Sequence, residues 1–170
     1  SMLAQDVSPD RLERSRREVK DLLEMLEGDK VGLVAFAGTA FLQCPLTLDY
    51  SGLHIFLDAL SPDFLPVGGT DLALAIRTAA DSFRDKDGAS RAMIIISDGG
   101  EEDEEALKAA REAVDQGVLV YCLGVGTLEG APVPDNSGSF MLDRDGNVVH
   151  VRLKEELLKQ VALGTGGAYA

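Results

Sequence analysis

Apolar residues recur at two different spacings along the chain, and the switches between them predict alternating helices and strands. Leu12, Val19, Leu22 and Leu26 fall on one face at helical spacing. Ser8-Pro9-Asp10 ahead of them reads as a helix start: a capping hydroxyl, Pro at the first helical position, then an acid near the positive helix end. Gly28-Asp29 closes that helix. Residues 31–37 (VGLVAFA) lack polar alternation, as expected of a strand covered on both faces. Gly38-Thr39 turns into residues 40–44, a connection short enough for a hairpin.

Asp49 is placed to cap a second helix carrying Leu53, Leu57 and Leu60, which ends before Ser61-Pro62. Gly68-Gly69-Thr70-Asp71 opens a third, with Leu72, Ile76, Ala79, Ala80 and Phe83 inward. Residues 91–97 (RAMIIIS) are the most strand-like stretch, and Ile94, Ile95 and Ile96 are expected to be buried on both sides of the sheet. A helix over 104–116 with Leu107, Ala110 and Val114 inward leads to a second doubly buried strand, 118–124 (VLVYCLG). The stretch 124–139 reads as loop. A small hairpin follows over 140–151, turning at Asp143-Arg144-Asp145-Gly146. A last helix over 154–163 ends at Gly164, and Gly166-Gly167-Ala168-Tyr169 is positioned to begin an edge strand.

Strands separated by helices require crossover connections. The predicted fold class is therefore α/β: a doubly wound, mostly parallel sheet with helices on both faces, built as one domain over residues 1–170. In such sheets ligands gather at the carboxyl ends of the strands. Asp98 sits there, directly after the Ile-rich strand, and Thr70 lies in a loop feeding a helix N-terminus that can approach the same rim.

Composition narrows the function classes. A net charge of -13 argues against nonspecific binding to nucleic acid or an anionic membrane, because like charge repels phosphate. Cys44 and Cys122 lie in apolar runs and read as core thiols, too few and too far apart for a zinc site or a disulfide framework. No apolar run reaches the ~18 residues needed to span a bilayer, and no signal peptide is visible.

A Thr hydroxyl and an Asp carboxylate are oxygen donors of the kind Mg²⁺ and Ca²⁺ prefer. By pattern alone Gly-Gly-Thr-Asp also reads as a turn with an N-cap, and Ser97-Asp98-Gly99 as a strand-to-helix turn. Asp143-Arg144-Asp145-Gly146-Asn147 does not make an EF-hand, which needs Gly at the sixth position and Glu at the twelfth, where Val148 and Lys154 stand. The run Glu101-Glu102-Asp103-Glu104-Glu105 suits a solvated helix entry, where acids complement the dipole. His54 and His150 have no Ser or Cys partner nearby, and Gly124 and Gly126 form no dinucleotide fingerprint.

Several stretches in one order resemble a von Willebrand factor type A (VWA) domain, and more narrowly the Bat aerotolerance group of bacterial VWA proteins. They are Ser1-Met2-Leu3-Ala4-Gln5-Asp6 with Arg11-Leu12-Glu13, residues 28–38, residues 45–50, Gly68-Gly69-Thr70-Asp71 and Ser97-Asp98-Gly99. The tail, residues 143–149 with Gly166-Gly167-Ala168-Tyr169, is similar to the Bat group in particular. The resemblance implies a metal-ion-dependent adhesion site, or MIDAS, which joins an Asp-x-Ser-x-Ser loop to a Thr and an Asp from later loops. Carried over by position, Thr70 is the threonine, Asp98 the later aspartate and Ser1 the second serine of the loop. The loop's Asp and first Ser, and the first central strand of the family fold, have no counterpart in these 170 residues.

Two functions from different classes follow. The favoured one is a noncatalytic protein-interaction module, metal-dependent through a Mg²⁺-type cation in its intact form, with cation binding expected to be weak or absent in this chain. The resemblance implies a membrane-tethered bacterial protein at the inner membrane, with other VWA proteins or a MoxR-type AAA+ ATPase as partners, no nucleic acid, and membrane contact only through segments outside these residues. The gap left by the first strand is also an expected point of self-association. The alternative is a Mg²⁺-dependent phosphotransfer or hydrolytic enzyme using Asp98, which would need further carboxylates or a base converging on it.

Overall fold

The computed structural model describes residues 1–61, 68–83, 89–135 and 137–170. In chain order the elements are α1 (Arg11–Met25), β1 (Val31–Phe36), β2 (Ala40–Thr47), α2 (Tyr50–Ala59), α3 (Leu72–Asp81), β3 (Arg91–Ser97), α4 (Glu104–Asp115), β4 (Val118–Gly124), β5 (Ala131–Pro132), β6 (His150–Val151) and α5 (Glu155–Gly164). This is the α/β architecture that the periodicities predict. Four of the helix starts are fixed by one chemistry, an aspartate accepting a backbone N–H of the first turn: Asp10 from Glu13, Asp49 from Gly52, Asp71 from Leu74 and Asp103 from Glu105. The first cap is thus Asp10, two residues beyond the expected Ser8, because the helix begins only at Arg11. Helix α2 ends at Ala59, and Pro62, expected to stop it, lies outside the described residues.

β1 pairs antiparallel with β2, as the Gly38-Thr39 turn implies, and β3 pairs parallel with β4 over its whole length. The last residues extend the second pair: Cys122 N–H donates to Ala168 and Ala170 N–H to Cys122, both at 3.0 Å, which is the expected edge strand. β5 and β6 pair antiparallel beside the small hairpin, whose bridges join Pro134 to Phe140 and Leu142 to Val148. Among the described residues β1 has β2 as its ladder partner and β3 has β4.

Two apolar clusters form the interior. The larger joins Leu72 and Ile76 of α3, Ala106, Ala109, Ala110 and Ala113 of α4, Met93 and Ile95 of β3, Val118, Val120 and Cys122 of β4, and Leu158 and Val161 of α5. The smaller joins Leu23 of α1, Cys44 of β2 and Leu53 of α2. β1 serves both, Val31 and Leu33 facing the smaller cluster and Phe36 the larger, so the helices lie on both faces of the strands.

Four burial expectations change. Ile95 is 5% exposed but Ile94 is 46% exposed, because α3, α4 and α5 cover the face that carries Met93 and Ile95. β4 alternates likewise, with Val120 buried and Leu119 exposed. On α4 the inward stripe is the four alanines, while Val114 points outward; small side chains let that helix approach the strands closely. Of the apolar positions expected inward on α1, none is fully buried, and Leu23 takes that place, with Arg11 and Ser15. Cys44 and Cys122 are buried free thiols, and burial pushes the Cys122 thiol up to about 12.

Ile95→Ala is expected to cost about 2–5 kcal/mol in urea unfolding, as truncation of a buried Ile usually does, and Ile94→Ala about 1 kcal/mol or less. Equal losses would mean that both faces of β3 are covered.

Candidate metal and docking site at the strand ends

β3 ends in Ser97-Asp98-Gly99, and the backbone there is tied down on two sides. Val125 N–H donates to Ser97 at 2.9 Å and Lys154 N–H donates to the Asp98 carbonyl at 2.9 Å. Gly99 has φ +90, and a Cβ on it would stand 1.9 Å from the Lys154 carbonyl oxygen, so only glycine lets the strand end pass under the start of α5. Ser97 and Asp98 are both buried.

The Thr70 loop reaches the same place from the other side. Asp71 N–H donates to the Ala37 carbonyl at 2.6 Å, anchoring the loop to the end of β1, and Leu72 is buried directly after it. Thr70 itself is exposed. Ser1 is held by its neighbours rather than loose: Ala4 N–H donates to its carbonyl at 2.9 Å, Leu12 N–H to Met2 at 2.9 Å and Arg11 N–H to Ala4 at 3.1 Å. Ser1, Thr70 and Asp98 line one cleft of about 560 Å³. Glu101, Glu102 and Asp103 form part of its wall, and His150, Arg152 and Lys154 another part. Lys154 and Glu101, both in its lining, form an ion pair.

Behind Asp98 stands a polar cluster that the sequence reading did not find. The Arg11 side chain is 0% exposed and donates from Nη1 to Asp98 Oδ2 at 2.8 Å. Its Nε and Nη2 grip both oxygens of Asp6, at 2.8 and 2.7 Å. Asp6 also accepts Thr127 N–H at 2.8 Å. The Arg11 guanidinium holds the Asp6 carboxyl down at about 2, Thr127 helping and burial opposing. Burial pulls the Arg11 pKa down, but Asp6 and then Asp98 outweigh it and the net direction is up. One signal was available in the sequence: Arg11 and Ser15 are four apart on the stripe that continues through Val19 to Leu23, so a polar pair lies where a helix should be apolar.

A sequence profile of the von Willebrand factor type A domain matches residues 1–101. The chain belongs to the von Willebrand factor type A family. Two solved structures cover it almost completely. BatB of Bacteroides thetaiotaomicron, a conserved hypothetical protein, is 42% identical over 100% of this chain and 83% of its own, with TM-score 0.96. An aerotolerance-related membrane protein of Bacteroides fragilis is 42% identical over 99% of this chain and 84% of its own, with TM-score 0.94. A UPF0353 protein of Mycolicibacterium paratuberculosis is 31% identical over 98% of this chain and 51% of its own length. The VWA chain spans about half the length of the curated relatives it matches first, 47% and 51%. Among the described residues no helix is long and apolar enough to cross a membrane.

As donors for a metal, the Ser1 and Thr70 hydroxyls and the Asp98 carboxylate are hard oxygens and fit a Mg²⁺-type ion in kind. In charge they are few. Among the described residues no three His, Cys, Asp or Glu side chains gather as a metal group, and the one carboxylate already accepts from Arg11.

Because the Asp6 carboxyl titrates lower in the folded chain than the ordinary 3.8, its stabilisation is complete above that value and disappears as pH falls through about 2. Acid titration of stability is expected to show about 2 kcal/mol lost in that window, a slope that Asp6→Asn removes.

Proposed function

We propose that this VWA domain is a noncatalytic protein-interaction module whose docking face is the cleft lined by Ser1, Thr70 and Asp98. In this reading a divalent cation of the Mg²⁺ type rests on those three residues and supports partner binding. The observation that carries it is the convergence of two hydroxyls and one buried carboxylate from three separate segments on a single open cleft. Neutral hydroxyl donors leave charge on the ion, and that charge is what an anionic side chain of a partner can meet. A distant protein of the same fold, proximal thread matrix protein 1 of the mussel byssus, is described with a zinc-occupied MIDAS motif; at 14% identity and TM-score 0.66 it speaks to the fold alone.

The full-length protein, in this proposal, works in a bacterial inner-membrane complex, with other VWA proteins or a MoxR-type AAA+ ATPase as partners and the membrane reached through segments outside these residues. The description of the Bacteroides fragilis relative as a membrane protein supports that placement. An enzymatic role for Asp98 finds less support. Its Oδ2 is committed to a guanidinium, and the acids nearest the cleft belong to an exposed helix entry capped by Asp103.

The test is capture of partners by the full-length protein with Mg²⁺ present or chelated. Retention of a specific protein is expected to fall about tenfold, ~1.4 kcal/mol, on chelation and equally in Asp98→Ala and Thr70→Ala. Retention indifferent to all three would remove the cleft from the interaction. Mg²⁺-dependent phosphatase turnover abolished by Asp98→Ala would replace the binding reading with the enzymatic one.

A further inference from the structure

Arg11 plays no part in the docking reading, yet it is the most enclosed charge in the described structure. Its Nε and Nη2 already satisfy a carboxylate bidentately, at Asp6. Nη2 also lies 3.4 Å from the Val151 carbonyl. The Gly126 backbone is packed against the guanidinium, where a Cβ would stand 2.8 Å from Cζ and from Nε. The remaining nitrogen, Nη1, is thereby aimed at Asp98 Oδ2, 2.8 Å away. The direction of that bond is fixed by contacts on the other side of the fork. Arginine does not lose its charge at accessible pH, so Asp98 always has a cation beside it.

A divalent ion on Asp98 would share the carboxylate with this guanidinium, and two cations on one carboxylate repel each other. We propose that Arg11 is a resident cation behind the cleft: it positions the Asp98 carboxylate and, by occupying Oδ2, holds down the site's affinity for a divalent ion. Arg11 is a positioning residue here, acting through Asp98 and never on the partner. The inference rests on the cleft being the cation site proposed above.

Mn²⁺ alone is the probe, followed by the loss of the free-ion signal in electron paramagnetic resonance, with melting curves to establish that each variant folds. Arg11→Leu by itself strands two carboxylates, so it is made together with Asp6→Asn. This double variant is expected to bind Mn²⁺ about tenfold or more tightly than the parent, and addition of Asp98→Asn to cancel the gain. Should the pair fail to fold, Asp6→Asn with Arg11→Gln keeps an amide facing Asp98 and carries the same expectation. A measurement on the parent needs no substitution: the Arg11 Nε–H resonance is expected to shift as Mg²⁺ is raised to saturation.

A folded double variant that binds Mn²⁺ no more tightly than the parent overturns the inference, as does an Arg11 resonance unmoved at saturating Mg²⁺. A gain that survives Asp98→Asn places the cation elsewhere and overturns the proposed site itself. Tight, Asp98-dependent Mn²⁺ binding by the parent keeps the site but removes the restraining role of Arg11.

Discussion

A guanidinium walled off from water has to find its hydrogen bonds inside the protein, and in this chain Arg11 finds them on pieces far apart in sequence. Desolvating such a charge costs several kcal/mol unless paired carboxylates offset it. Asp6 offsets it with a two-point grip and Asp98 with a single bond. Through those bonds α1 is joined to the turn that precedes it and to the end of β3. Through Thr127 on Asp6 and Gly126 on the guanidinium, the segment after β4 is placed as well. The same side chain thus touches two residues that line the cleft, Asp98 and Val151.

The position of that cluster matters because the apolar interior is divided. α1, α2 and β2 pack in one cluster, and β3, β4, α4 and α5 in another. β1 and α3 reach across, α3 by packing on both β1 and α4. Arg11 to Asp98 is a third tie, made between the helix of one cluster and the strand of the other. A polar bond is directional where apolar packing is not, so it can fix how far α1 is offset from the end of β3.

Much of this was legible in the sequence, and the reasons for success and failure are physical. Helices and strands could be read because burial imposes spacings of 3.6 and 2, and because aspartates at 49 and 71 announce their caps. Thr70 and Asp98 could be placed at one rim because strand ends in an α/β sheet share an edge. Ile94 was misjudged because three consecutive isoleucines give no alternation by which to tell a covered face from an open one; only the position of α3, α4 and α5 decides it. On α4 the rule that larger residues point inward failed, since four alanines permit closer packing than Val114 would. Arg11 and Asp6 stood inside a recognised stretch, but their role needs Asp98, 87 positions further on, and no local pattern carries a partner at that distance.

The cleft carries both signs of charge. With a net charge of -13 the surface as a whole repels anions and draws cations. At the cleft Glu101, Glu102 and Asp103 bring acidic groups and His150, Arg152 and Lys154 basic ones, and Lys154 pairs with Glu101. A surface of one sign mainly speeds encounter, whereas opposed signs a short distance apart fix register, because a partner turned the wrong way meets like charge twice. The basic wall comes from β6 and the residues that follow it, and β6 is held against β5 beyond the Thr127 turn. Arg11 touches that same wall at the Val151 carbonyl. The side chain that holds Asp98 therefore also contacts the segment that brings the basic groups to the cleft.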